Sequence, residues 1–144
     1  MDAQALSREP GNAAVIAHLE AAAAPVRATP DDPWQLDGYE LRTHPDLAER
    51  FEEVARGSGG GRAAAAGVPL LVDPGGCIVA YALGTSRIAL RLPQVGGEPA
   101  LDPRPVEGLP GWTSVDAWLS SLSSPRGTDV LRELVGRAVA GNAP

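Results

Sequence analysis

Residues 67–93 read GVPLLVDPGGCIVAYALGTSRIALRLP, and the fold follows from how that stretch is parsed. It holds three apolar runs, Val68–Val72, Cys77–Leu83 and Arg87–Leu92. Two short breaks, Asp73-Pro74-Gly75-Gly76 and Gly84-Thr85-Ser86, separate them. Runs this short do not make independent helices, and Val, Ile and Tyr favour strands. The first break has turn chemistry: Asp73 can bond its own backbone, Pro74 presets φ, and Gly75 accepts a positive φ. The runs therefore predict an antiparallel β-meander over about residues 68–92. In the third run Ile88, Leu90 and Leu92 point one way and Arg87, Ala89 and Arg91 the other. The middle run is apolar on both faces, with Cys77, Val79, Tyr81 and Leu83 on one and Ile78, Ala80 and Ala82 on the other. That pattern predicts a central strand covered on both sides, with small alanines that let a helix come close.

Outward from the meander, helices are expected on either side. Residues 12–24 carry Val15, Ile16, Leu19, Ala22 and Ala23 on one face, with Asn12 as cap and Pro25 as stop. Residues 45–56 follow Thr43 as a cap, with Pro45 and Asp46 in the first turn and Leu47, Phe51, Val54 and Ala55 as the stripe. Residues 128–140 place Val130, Leu131, Leu134, Val135, Ala138 and Val139 on a wide apolar face, with Glu133 and Arg137 as an i, i+4 pair. A short helix is expected from Ser114, using Val115, Trp118, Leu119 and Leu122. Residues 1–11 read as a frayed terminus, and 12–144 as one domain. Its irregular parts are a Gly-rich loop at 57–61 and Pro-rich loops at 25–37 and 93–111. Trp34 is expected to anchor the first Pro-rich loop, Tyr39–Arg42 reads as a short strand, and Pro105–Leu109 as an edge strand. Ala63–Ala66 reads as a lead-in to the meander. The fold class is α+β: a single domain in which the meander packs against N- and C-terminal helices.

Composition narrows function more by exclusion than by assignment. The chain has 144 residues, enough for a real core, with 12 basic against 18 acidic residues and a net charge of −6. That charge argues against broad binding to nucleic acid or to an anionic membrane. No stretch is long and apolar enough to span a bilayer, and MDAQALSREPGN lacks the pattern of a signal peptide. A cytoplasmic protein is the expectation. The single Cys77 forbids an internal disulfide, and its place in a strand predicts a buried, unreactive thiol. His18, His44 and Cys77 have no paired spacing, so no metal site is expected. Gly59-Gly60-Gly61-Arg62-Ala63-Ala64 formally fits G-x-G-x-x-A, but it follows a helix rather than a strand, so a plain loop is expected there. Gly84-Thr85-Ser86-Arg87-Ile88 lacks the last glycine of a nucleophile elbow. Asp31-Asp32, before Pro33, reads as a turn. No catalytic residue and no cofactor is assigned.

Arg87 and Arg91 are the candidate site. Two guanidinium groups on one strand face, about 13 Å apart at ~3.3 Å per residue, can hold an anion bidentately. The alternative is that each folds against a neighbouring carboxylate. The residues support two functional expectations. The first is a non-enzymatic binding or regulatory module acting through protein–protein contacts, its acidic surface suited to a basic partner. The other is a small ligand-binding domain or enzyme with an anion site at Arg87 and Arg91.

The order of elements resembles the TfoX N-terminal domain and the related YjbR-like small proteins. The residues that carry the likeness are Gly67, Leu70-Leu71-Val72, Gly76, Ile78–Ala82, Gly84 and Leu90-Arg91-Leu92-Pro93. Trp112 and the helix at Thr128–Ala140 follow in the family's order. The family's usual Met-Phe-Gly-Gly entry is replaced by Ala66-Gly67-Val68, and the section 112–125 is additional. The resemblance implies an α+β fold without catalytic residues; some members act in competence regulation.

Overall fold

The computed structural model describes residues 10–21, 35–36, 39–40, 43–65, 67–119 and 124–140. The predicted Trp34 anchor, the helix end at 22–25, Asp31-Asp32 and Leu122 lie outside them. The elements run α1 (Pro10–Ala21), β1 (Gln35–Leu36), β2 (Tyr39–Glu40), α2 (Pro45–Ala55) and β3 (Gly61–Ala65). They continue through β4 (Val68–Val72), β5 (Ile78–Leu83), β6 (Arg87–Leu90), a 3-10 turn at Pro99–Leu101, β7 (Arg104–Pro105), β8 (Thr113–Asp116) and α3 (Ser124–Ala140). Six strands form an antiparallel sheet in the order β3-β4-β5-β6-β8-β7, while β1 and β2 pair separately. This is the α+β architecture expected, with helices on both sides of the chain's central strands. Among the described residues no helix is long and apolar enough to cross a membrane.

The predicted meander is β4, β5 and β6, with one correction to its facing. Leu71 pairs with Ala80 but Val72 pairs with Ile78, so Val79 is an extra residue. Such a bulge turns two successive side chains to one side. Val79, Ala80 and Ala82 accordingly join one cluster, whereas Ile78 and Tyr81 join the other with Leu83 packed against it. The break before β5 also differs in detail. Asp73 Oδ1 accepts from the N–H groups of Gly75 and Cys77, both at 2.9 Å, and the positive φ falls on Gly76, at +89°. Cys77 lies in this turn and is half-buried, not sealed within a strand.

The sheet is wider than the three runs. Ala63–Ala65 belongs to strand β3, which pairs antiparallel with β4. Gly60, just before it, could not carry a side chain: a Cβ there would meet the Val72 carbonyl at 2.9 Å. That close approach, rather than flexibility, explains one glycine of the 57–61 cluster. The expected helix at Ser114 is instead strand β8. Thr113, Val115, Ala117 and Leu119 are buried in alternation with Ser114, Asp116 and Trp118, a period of two that outweighs the helical spacing. The edge strand expected at Pro105–Leu109 is only two residues long and lies earlier, as β7 at Arg104–Pro105; Val106 to Leu109 turn instead, with the Leu109 N–H on the Val106 carbonyl at 3.1 Å.

α2 and α3 cover one face. Leu47, Phe51 and Val54 from α2 and Leu131, Leu134 and Val135 from α3 pack with Val79, Ala80, Ala82, Ile88 and Leu90. Leu90, Val79, Leu131 and Leu134 are thus buried together, as expected. α2 ends one residue early, at Ala55. Its cap is His44, whose Nδ1 accepts the Asp46 N–H at 3.0 Å. Thr43 is buried instead, and its hydroxyl donates to the Ala82 carbonyl at 2.6 Å. One row beyond Leu70↔Tyr81, Ala82 stands opposite Pro69, which has no N–H to offer; Thr43 supplies the missing donor. α3 begins at Ser124, four residues earlier than expected, with Pro125 in the first turn where its missing N–H is harmless. Arg137 does not pair with Glu133; it donates to the Gln94 carbonyl at 3.3 Å.

α1 covers the other face with Val15 and Leu19, over a cluster that includes Tyr81 and Trp112. It begins at Pro10, so residues 10 and 11 are helical rather than frayed. Asn12 is not its cap. The side chain is 1% exposed, donates to the Gly76 carbonyl at 2.8 Å and accepts the Ile78 N–H at 2.7 Å. It fastens α1 to the start of β5.

Candidate functional site

The α1 side of the sheet is built in rows. The pairings Tyr81↔Ala89, Ala89↔Ser114 and Ser114↔Arg104 set four residues abreast across β5, β6, β8 and β7. The next row on that face is Leu83, Arg87 and Asp116. Within the first row Ala89 contributes a single methyl between larger neighbours, and a notch results. It is a cleft of about 170 Å³ lined by Tyr81, Leu83, Arg87, Ala89, Val106 and Ser114.

The Tyr81 ring packs against Trp112, centroids 5.6 Å apart, and against His18 at 6.4 Å. The residue is 4% exposed, and burial pushes its phenol up to about 12. Among the described residues its hydroxyl makes no hydrogen bond, and because no buried side-chain polar atom there lacks a partner, the oxygen is not sealed from solvent.

Arg87 forms another wall, and its fork is already engaged. Nε donates to Ser114 Oγ at 3.0 Å, Nη1 to Asp102 Oδ2 at 3.1 Å, and Nη2 to the carbonyls of Asp102 and Ser114. Asp102 sits in the left-handed region, φ +44°, and its carboxylate also takes Arg104 Nη2 at 2.8 Å. Two guanidinium groups therefore share the Asp102 carboxylate, and Asp116 stands opposite Arg87 in the same row. For Arg87 this is the carboxylate-paired arrangement. Arg91 lies at the bend after β6, partly buried, with its N–H on the Val79 carbonyl, and it does not line the cleft. The structure thus does not bring the two arginines together on one ligand-sized surface. Tyr81 and Ser114 are the residues the sequence reading missed, because their nearness to Arg87 depends on the register of three strands.

The second feature is the outer edge of β3. Ala64 stands opposite Pro69. Proline cannot donate, so this is a non-hydrogen-bonded pair, and the ladder bonds run through Ala63↔Leu70 and Ala65↔Val68. It follows that the N–H and C=O groups of Arg62 and Ala64 point away from the sheet. Among the described residues no strand pairs with them. The edge is exposed, and its side chains are small except for Arg62. Arg62 grips Glu52 of α2 with two bonds of 2.9 Å, which hold the Glu52 carboxyl below its usual range. The opposite edge of the sheet, β7, is two residues long and contains Pro105.

Other polar groups serve the fold. Arg50 donates to the Ala117 carbonyl at 3.0 Å and to Glu53 and Thr128 at 2.7 Å each, tying α2 to α3. Its guanidinium lies 6.0 Å from the centre of the Trp118 ring, which is 43% exposed and fixed by an indole N–H bond to the Thr85 carbonyl. Ser86 is a turn residue whose carbonyl accepts the Ala117 N–H. Compared with family models, curated proteins and solved structures, the chain matches none.

Proposed function

We propose that this chain is a protein-binding module, not an enzyme, and that it takes an extended segment of a partner on the outer edge of β3. The observation that carries the proposal is that edge. Five residues without proline present the outward backbone groups of Arg62 and Ala64 in a row. Unpaired strand edges are templates for strand addition, and proteins otherwise blunt them with short length, proline or charge. β7 is blunted by its length and by Pro105, whereas β3 has neither device and its one charge, Arg62, is paired with Glu52. The net charge of −6 favours a basic partner, in the cytoplasm, with no need for nucleic acid, a membrane or a cofactor. The resemblance to TfoX N-terminal and YjbR-like proteins implies a fold without catalytic residues, which fits a module and not an enzyme.

Ala64→Pro is the direct test. It removes one outward N–H and leaves the ladder to β4 intact, since Ala64 gives that ladder no bond. The expected result is an unchanged melting temperature with loss of partners that cross-link to residues 61–65 of the wild-type protein in its native host. If the variant keeps every such cross-link, strand addition at β3 is wrong.

A further inference from the structure

We propose that, when no partner strand is bound, the outer edge of β3 is covered by β3 of a second copy of this chain. The two strands run antiparallel, and the two-fold axis passes between the two Ala63 residues. This rests on the reading of β3 as a strand-addition edge and adds what governs access to it: a partner must displace the second copy.

Three observations combine. The first is the bonding pattern. Arg62 and Ala64 turn their backbone groups outward, and among the described residues no strand pairs with them. In antiparallel pairing, outward residues exchange both bonds with outward residues. With Ala63 facing Ala63, Arg62 of each copy stands opposite Ala64 of the other, and the outward groups of both residues are satisfied. A register centred on Arg62 would set like charges directly opposite. It would also call on Gly60, whose N–H already bonds Ser58 Oγ and whose carbonyl accepts from Arg62 Nη1. A register centred on Ala64 moves Arg62 past the end of the facing strand, at Ala65. The second observation is size and charge. Apart from Arg62 the strand is glycine and alanine, so nothing bulky stands between the copies. Ala63 and Ala65 belong to the cluster under α1, and the facing methyls continue that apolar surface across the axis. Arg62 is neutralised by Glu52, and the small Ala64 opposite leaves that pair room. The third is extent. A proline-free edge of this length is one that proteins do not leave bare. Yet one strand of five residues a side is far below the roughly 20–30 residues a side of a standard interface, so the pair is weak and exchangeable. The net charge of −6 on each copy weakens it further and favours displacement by a basic segment.

The experiment uses the whole chain. Sedimentation velocity should show a monomer in dilute protein that shifts to a dimer as the concentration nears the millimolar range. High salt should raise the dimer fraction, because it screens the repulsion between two acidic copies. Ala64→Pro, which removes one outward N–H, should stay monomeric throughout, with its melting temperature as the check on folding. Register is read by single cysteines in a Cys77→Ala background. Ala63→Cys sets its two Cβ atoms about 4.5–5.5 Å apart across the axis, close enough for a disulfide, whereas Ala64→Cys leaves them on a diagonal of about 7–8 Å. Ala63→Cys should therefore cross-link about tenfold faster or more under air oxidation, although Ala64 is the more exposed residue. A wild type that stays monomeric at the highest concentration and salt, dimers retained in Ala64→Pro, or Ala64→Cys cross-linking as fast as Ala63→Cys would each overturn the proposal. Partner capture fails separately: a monomeric wild type whose host cross-links vanish in Ala64→Pro keeps the β3 edge as a docking site and removes only the second copy.

Discussion

The two faces of the sheet are closed by different means. On the α2–α3 face the contacts are almost wholly aliphatic, and Ala80 and Ala82 under the helices let them sit close. On the α1 face a single helix brings two buried aliphatics, Val15 and Leu19, and the remaining cover comes from Tyr81, Trp112 and Leu109. There a buried amide, Asn12, makes the attachment, and a cleft remains open beside Tyr81. Burial on the first face is non-directional, so it stabilises without selecting any chemistry. The second face depends on directed bonds, and directed bonds leave polar groups near a cavity. If the molecule binds a small ligand, the less complete face is where it can do so without loss of the core.

The comparison is broken most decisively on the α2–α3 face. Leu131 has no exposed surface and packs among Leu47, Val135 and the β5–β6 side chains. Leu131→Ala should cost about 2–5 kcal/mol, the transfer loss plus a cavity that rigid neighbours cannot fill. Urea unfolding followed by tryptophan fluorescence measures it. A midpoint within error of the wild type would mean that this face is not the tight one.

A smaller loss is expected on the α1 face. Asn12→Ala removes both partners of a buried junction at once, leaving the Ile78 N–H and the Gly76 carbonyl without bonds. The expected cost is about 1–3 kcal/mol. It should also be local: amide exchange at Ile78 should quicken by more than exchange at Leu90, which belongs to the other cluster. Equal effects at both sites would show that the two faces unfold as one unit and that the distinction drawn here has no energetic content.

How much of this was legible in the sequence depended on distance along the chain. β4 to β6 and the three helices are written in local runs and stripes, and each was found. β8 was also written locally, in the alternation from Thr113 to Leu119, but Val115, Trp118 and Leu119 fit a helical spacing too, and burial decides between them. The β1–β2 pairing had a signal in Asp37-Gly38, a dipeptide favoured between hairpin strands. The bulge at Val79 had none, since an apolar run looks the same with or without an extra residue. Asn12 fits a cap and a buried clamp equally well until Gly76 and Ile78, 64 and 66 residues away, are seen beside it. The candidate site was half legible. Arg87 stood out by alternation. Its carboxylate, Asp102, sits in a Pro-rich loop, and the cleft beside Tyr81 emerges only when β5, β6 and β8 are set in register.

The smallest effect concerns Tyr81 and is invisible at neutral pH. Burial raises its phenol from the ordinary value of 10.0 to about 12. Below pH 10 the proton is held in both the folded and the unfolded chain, so the contribution to stability is fully present. Between pH 10 and about 12 the unfolded chain ionises first, and stability falls by up to about 1.4 kcal/mol for each unit of pH. Above the folded value nothing further is lost. The background in that window is unusually quiet, because every one of the 12 basic side chains is arginine and the other tyrosine is Tyr39. Arginine keeps its proton throughout this range. Urea midpoints measured from about pH 9 to about 12 should therefore decline in the wild type and decline much less in Tyr81→Phe, with the two proteins nearly equal at pH 7. A parallel decline in both would place the alkaline loss elsewhere and would mean that the Tyr81 hydroxyl is in ordinary contact with water. The α1 face would then be no drier at the cleft than at its rim, and the asymmetry between the two faces would rest on Asn12 alone.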